Sequence, residues 1–235
     1  MDQRLSTIKS WLSDVLNSED FTITPASSDA SFRRYFRVSQ AELTWIVMDA
    51  PPSQEDIAPF IKVSQFLNSQ SLHVPNIIAQ NSEMGLLLLS DLGTQPYLDM
   101  LNNHSADNLY RDAIDSLIKI QCSDPTGIDL PRYDSKLLQT ELNLFPEWFL
   151  ERHFELSPPA FLQPLFDTLI DNALSQPQSV VHRDYHSRNL MVDAKHNPGI
   201  IDFQDAVIGP ITYDLVSLLR DCYISWPEDK LEAWI

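Results

Sequence analysis

Glycine is scarce in this chain, with five residues in 235. The shortage matters most between residues 26 and 33, a polar stretch that reads Ala-Ser-Ser-Asp-Ala-Ser-Phe-Arg and holds no glycine. A phosphate-cradling loop of the G-x-G-x-x-G kind is therefore absent there. Cysteine is scarcer still. Cys122 and Cys222 are the only two, too few for a disulfide scaffold and without metal-ligand spacing, which points to reduced thiols in the cytoplasm. Basic residues are outnumbered, with 16 Lys and Arg against 33 Asp and Glu for a net charge of −17. That balance excludes a nucleic-acid partner, which needs clustered cations for the phosphate backbone. Long apolar runs are missing as well. The longest clean one, Leu86 to Leu89, is far too short to span a bilayer. Asp2, Arg4, Lys9 and Asp14 break up the opening stretch, so it does not read as a signal peptide. No internal repeat or low-complexity segment occurs.

What remains is ordinary globular composition with clear periodicity. Leu5, Ile8, Trp11, Leu12, Val15 and Leu16 lie at helical spacing and predict an amphipathic helix. Three strands are expected next, at Phe21 to Thr24, Arg34 to Val38 and Thr44 to Met48. Ser53-Gln54-Glu55-Asp56 resembles a capping box and should start a helix carrying Ile57, Phe60, Ile61 and Phe66. Two more strands follow, near Asn76 to Ala79 and Gly85 to Leu89. Beyond residue 93 the pattern turns helical. One helix carries Leu109 to Ile118, a second runs from Leu137 to Leu150 and is interrupted by Pro146, and a third carries Leu162 to Ile170. Tyr213 to Cys222 returns to helix.

The chemistry concentrates near the end. His182-Arg183-Asp184-Tyr185-His186-Ser187-Arg188-Asn189 fits H-R-D-x-x-x-x-N without a mismatch, and Ile201-Asp202-Phe203 follows after a short spacer. In that pattern one carboxylate takes the proton of an acceptor hydroxyl, while an amide oxygen and a second carboxylate hold Mg²⁺ against nucleotide phosphates. Val180-Val181 before the motif is apolar. Leu190-Met191-Val192, a turn from Asp193 to Gly199, and Ile200-Ile201 read as a hairpin. It places Asn189 just before its first strand and Asp202 at the end of its second. A lone Asp or Asn here would be read as a turn cap. The whole constellation reads as a phosphoryl-transfer site.

These residues resemble the aminoglycoside phosphotransferase and choline kinase superfamily, small-molecule relatives of protein kinases. Val181 to Met191, Ile201 to Ala206, Gly209 to Asp221 and Met48-Asp49-Ala50-Pro51-Pro52 are together similar to bacterial cell-wall amino-sugar kinases. Those enzymes phosphorylate the anomeric hydroxyl of N-acetylmuramate and N-acetylglucosamine. The resemblance implies an α+β, protein-kinase-like two-lobe fold: a β-rich N-lobe over residues 1–89, a hinge at 90–93, and a helical C-lobe over 94–235. It implies ATP and Mg²⁺ as cofactors, an amino sugar as partner, no membrane partner, and cytoplasmic location. Asp184 would be the general base, with Asn189 and Asp202 the metal ligands. The backbone of Ser90, Asp91 and Leu92 would meet the adenine edge, although the same segment reads equally as a turn with Asp91 capping a helix. Ser28, Ser31 and Arg33 would line the nucleotide phosphates, although a plain polar hairpin loop reads equally well.

Departures from the kinase pattern shape further expectations. Gln204 stands where the D-F-G motif has glycine. Met48 stands where kinases place a phosphate-binding Lys, so Arg33, Arg34 or Arg37 would have to serve. For the acceptor, Glu141, Glu147, Trp148, Arg152 and Arg183 offer carboxylates for sugar hydroxyls, an aromatic face and positive charge; a solvated helix face with one buried Trp is the other reading of Glu141, Glu147, Trp148 and Arg152. His182 is expected to order the loop, and Asp205 and Asp214 to tie neighbouring segments to it. The stop at Ile235, soon after the helix carrying Asp214, leads us to expect that further C-terminal helices are missing. Phosphorylation of an aminoglycoside or another small alcohol stays open, as does a nucleotide-binding pseudokinase.

Overall fold

The structure, a computed structural model, describes residues 3–26 and 32–235. Ser28 and Ser31 lie outside them. The chain opens with α1 (Gln3–Leu16), β1 (Thr22–Pro25), β2 (Arg34–Gln40) and β3 (Leu43–Asp49). Next come α2 (Ala58–Ser69), β4 (Ile77–Asn81), β5 (Leu86–Ser90) and the short α3 (Tyr97–Met100). Then follow α4 (Ala106–Cys122), α5 (Ser135–Leu142), a π-helix (Phe145–His153) and α6 (Leu162–Ser175). The remainder is β6 (Gln178–Val181), β7 (Leu190–Met191), β8 (Gly199–Ile200), β9 (Val207–Pro210), α7 (Tyr213–Leu219) and α8 (Glu228–Trp234). Two compact units result, Met1–Met100 with Leu190–Gln204, and Leu101–Asn189 with Asp205–Ile235.

The first unit is built on an antiparallel sheet in the order β1-β2-β3-β5-β4. Strand alternation turns Val38, Val47, Leu86 and Leu88 to one face, where Ile8, Trp11 and Leu12 of α1 cover them. The helix expected from its apolar stripe thus exists to bury that stripe on the sheet. The hairpin of β7 and β8 belongs to this unit. Ile200 N–H donates to the His73 carbonyl at 2.8 Å and Val192 N–H to the Gln95 carbonyl at 2.8 Å. Behind the hairpin, Phe203 packs on Phe60 of α2 with ring centroids 4.9 Å apart.

The second unit is mostly helical, with β6 and β9 as an antiparallel pair. Tyr133, Leu138 of α5, Ile170 of α6, Val181 and Val207 form a core cluster against which Tyr213 packs. Glycine is required at Gly209. A Cβ there would come within 2.9 Å of the Tyr133 Cβ, so only glycine lets that tyrosine lie across β9.

Three expectations change. The helix through Pro146 is two elements, because proline supplies no N–H to the i→i−4 ladder, and the chain continues in the wider π spacing. The helix expected to start from a capping box starts later: Ile57 is the N-cap without a side-chain bond, and Asp56 accepts from the Ala58 N–H at 2.9 Å. The helix after Tyr213 ends at Leu219. Among the described residues, no helix is long and apolar enough to cross a membrane, and Cys122 and Cys222 are exposed and unpaired.

Candidate active site

In the second unit, β6 delivers the chain into the loop His182 to Asn189, and buried groups hold that loop from several sides. The Asp214 carboxylate, 1% exposed, accepts from the backbone N–H of His182 at 2.6 Å and of Arg183 at 3.0 Å. The Asp221 carboxylate accepts from both the N–H and the hydroxyl of Ser187, the former at 2.9 Å. Buried His182 accepts the Asp184 N–H at its Nδ1, at 3.3 Å. The buried Tyr185 hydroxyl donates to the Ala113 carbonyl at 2.8 Å. Asp184 itself is exposed. A fixed loop with an exposed carboxylate at its turn is what a positioned base requires. Asn189 Nδ2 donates to the Asp184 carbonyl at 3.0 Å. That bond settles which end of the amide carries the acceptor oxygen a hard cation would need.

The backbone carries strain in both halves of the motif. Arg183 has φ +78° and Asp202 φ +64°. Neither is glycine, and each such conformation costs about 1–3 kcal/mol and persists only where its surroundings impose it. In the first unit, Asp202 is exposed between the end of β8 and buried Phe203. Gln204 Nε2 donates to Asp202 Oδ1 at 2.8 Å. The residue that replaces the kinase glycine therefore aims the carboxylate.

Burial pushes the Asp214 carboxyl up, to about 7, against its two backbone N–H bonds, which favour the charged form. The folded chain then binds this proton more tightly than an unfolded chain does. Its contribution to stability is complete below the ordinary carboxylate value of 3.8, declines above it, and is lost as pH rises through about 7. We expect the unfolding free energy of the parent minus that of Asp214→Asn to fall across this window and level off above it. Denaturant titrations at several pH values check this; a flat difference would mean that Asp214 does not titrate there.

The other sequence-predicted residues are distributed as follows. Arg33 forms an ion pair with Glu55 at 3.0 Å. On β2, Arg34 lies on the face of Val38 that α1 covers, and it binds Asp49 with Nη2 at 2.6 Å. Arg37 lies on the opposite face and grips Asp91 with two bonds of 2.6 and 3.0 Å. Each arginine offered for phosphate is thus already engaged with a carboxylate. Asp91 also accepts the Gly93 N–H at 2.9 Å. Burial opposes its charge, but the Arg37 and Gly93 hydrogen bonds prevail and hold its carboxyl below the usual range. It caps no helix, since the next one begins at Tyr97. Ser90 ends β5, with its N–H on the Asn76 carbonyl at 2.9 Å, and Leu92 packs over Gly199.

Of the acceptor candidates, Glu147 and Arg152 pair at 2.8 Å, and the Arg152 guanidinium lies 4.0 Å from the Trp148 ring centroid. Glu147 and Arg152 also border an open cavity of about 580 Å³ with Asn143, Glu151, Gln163 and Phe166. Glu141 is elsewhere, bound to the Arg183 guanidinium and to the hydroxyls of Tyr133 and Tyr213. Sequence reasoning missed Asp221, Tyr133 and Tyr213 as parts of this machinery. A signal existed for Asp221. The segment expected as helix from Tyr213 to Cys222 would put it about two turns after Asp214 on the same face, although in the structure the helix ends at Leu219, before Asp221.

Comparison with known proteins places these observations. The sequence pattern of the phosphotransferase enzyme family matches residues 22–235. The N-acetylmuramate/N-acetylglucosamine kinase of Pseudomonas putida is 47% identical over 248 residues, covering 100% of this chain and 73% of that protein. The N-acetylmuramate/N-acetylglucosamine kinase of Pseudomonas aeruginosa is 50% identical over 215 residues, covering 90% of this chain and 63% of that protein. Among solved structures, an aminoglycoside-3'-phosphotransferase of type VIII superposes with TM-score 0.69 at 13% identity, over 100% of this chain and 89% of that one. The choline kinase LicA of Streptococcus pneumoniae gives 0.68 at 11% identity, over 98% and 78%. At such identities these two matches establish the kinase-like fold.

Proposed function

We propose that this chain, which belongs to the phosphotransferase enzyme family, transfers the γ-phosphoryl group of ATP to the anomeric hydroxyl of N-acetylmuramate or N-acetylglucosamine released from the cell wall. The observation that carries the reading is exposed Asp184 on a loop whose backbone is pinned by buried Asp214 and Asp221. Two curated relatives at 47% and 50% identity bear amino-sugar kinase names and support the choice of acceptor.

In this reading Asp184 takes the proton of the sugar hydroxyl as its oxygen bonds to the γ-phosphorus and the bond to the leaving ADP oxygen breaks. Asn189 and Asp202 would hold Mg²⁺, an oxygen-seeking cation that neutralises phosphate charge. The strand-end backbone at Ser90, Asp91 and Leu92 would bind the adenine edge, and Arg33, with Ser28 and Ser31, the phosphate end. Glu147, Trp148 and Arg152 would meet the sugar. Exposed, unpaired Cys122 and Cys222 suit a reducing cytoplasm.

The test is phosphate transfer from Mg-ATP to N-acetylglucosamine, N-acetylmuramate, choline and an aminoglycoside in parallel, with products identified by phosphorus NMR. Sugar 1-phosphate is expected. Faster transfer to choline or the aminoglycoside, or nucleotide binding without transfer to any acceptor, would overturn the proposal. Asp202→Ala should abolish the gain in ATP affinity that Mg²⁺ confers. Calorimetric titration with and without the cation measures it, and an undiminished Mg²⁺ effect would remove Asp202 from the metal site.

A further inference from the structure

The group that sets the active carboxylate in this chain is not confined to the catalytic loop. We propose that Glu141 of α5 is a positioning residue: by gripping the Arg183 guanidinium it fixes the strained backbone from which Asp184 projects. The proposal rests on the phosphotransfer reading given above.

Arg183 immediately precedes Asp184 and carries φ +78°. Its backbone N–H is taken by Asp214 at 3.0 Å, and its guanidinium by Glu141. Both ends of the strained residue are therefore fixed by carboxylates from other elements, as strain requires if it is to persist. The Glu141 carboxylate is itself held. Tyr133, from the loop ahead of α5, and Tyr213, the first residue of α7, both donate their hydroxyls to its Oε2, the latter at 3.3 Å. Their rings pack 5.0 Å apart, and the Arg183 guanidinium lies 5.7 Å from the Tyr133 ring centroid. Glu141 and Arg183 are only 27% and 25% exposed, so water screens the pair less than it would a surface bridge.

The remaining charges around the cluster are Asp205, whose carbonyl accepts from Arg183 Nη1 at 3.5 Å, Asp184 and Asp214. Burial disfavours the charged guanidinium, but the Glu141 hydrogen bond and charge outweigh burial and hold it protonated. Burial first, and then the Glu141 carboxylate, likewise keep the Tyr133 phenol protonated as a donor.

The experiment compares the parent chain, Glu141→Gln and Glu141→Asp for kcat, KM of the sugar and ATP affinity. For Glu141→Gln we expect kcat to fall roughly 10- to 100-fold, the range that small misplacement of a reacting group produces. KM and ATP affinity should stay within about twofold. Glu141→Asp, which keeps the charge, should recover part of the loss. A kcat within twofold of the parent, or a raised KM at unchanged kcat, would overturn the proposal, the latter in favour of direct sugar contact. If the parent transfers phosphate to no acceptor, the functional reading fails, and the clamp is then judged by the Arg183 Nη–H signals in low-temperature NMR, since Glu141 accepts from Nη2. Loss of their slow exchange in Glu141→Gln upholds the clamp, and unchanged signals overturn it.

Discussion

Asp184→Asn is expected to bind ATP as the parent does and to lose sugar phosphorylation by about 10²–10⁴-fold, the usual contribution of a positioned base. The substitution keeps the shape of the side chain. The His182 Nδ1 acceptor for the residue 184 N–H and the Asn189 bond to its carbonyl both involve backbone atoms, so the loop should stand. What disappears is a charged oxygen able to accept a proton. Nucleotide affinity should change little, because the groups assigned to ATP, at Ser28, Ser31, Arg33, Ser90 to Leu92, Asn189 and Asp202, are untouched. Steady-state kinetics and a separate binding isotherm divide the two effects. Turnover within a few fold of the parent would sink the base assignment; loss of ATP affinity equal to the loss of turnover would make Asp184 a binding group instead.

That such an experiment can be specified at all reflects how much local sequence reveals. Strands of the first unit were legible because alternation has a short period: the stretch Arg34 to Val38 lies within β2, and Thr44 to Met48 within β3. The loop at Asp184 was legible because its residue types and spacing are dictated by chemistry. What stayed hidden is pairing across distance. Arg34, Arg37 and Arg33 looked equally available for phosphate, because nothing near them in sequence tells that Asp49, Asp91 and Glu55 already engage them. Glu141 and Arg183 looked like separate sugar contacts, yet they bind each other across 42 residues. Pro146 was visible as an interruption, but its result, a π-helix, depends on packing that no periodicity encodes.

Asp49 is where that hidden pairing should weigh most on stability. Its side chain is fully buried at the end of β3, and two arginines converge on it. Arg4 of α1 donates Nε to Oδ1 at 2.7 Å, and Arg34 of β2 donates Nε and Nη2 to Oδ2 at 3.0 and 2.6 Å. The carboxylate thus ties α1 to both strands, and Arg4 also reaches the Met84 carbonyl beyond them. Burying a carboxylate is costly, and only this double pairing offsets it. Removing one partner of a buried pair typically costs about 3–5 kcal/mol. Arg4 and Arg34 are 24% and 39% exposed, so once released they can turn toward water, which argues for the lower end of that range. For Asp49→Ala we therefore expect about 3 kcal/mol of destabilisation, or roughly 6–12 °C in the melting midpoint for a chain of this length. Asp49→Asn should be nearly as damaging, because its amide nitrogen would face a guanidinium donor where an oxygen stood. Added salt should not reproduce the effect in the parent, since a buried pair is poorly screened. Thermal and urea unfolding of the three proteins at low and high salt measure it. A loss under about 1 kcal/mol in both variants would mean that α1 is held on the sheet by its apolar stripe alone.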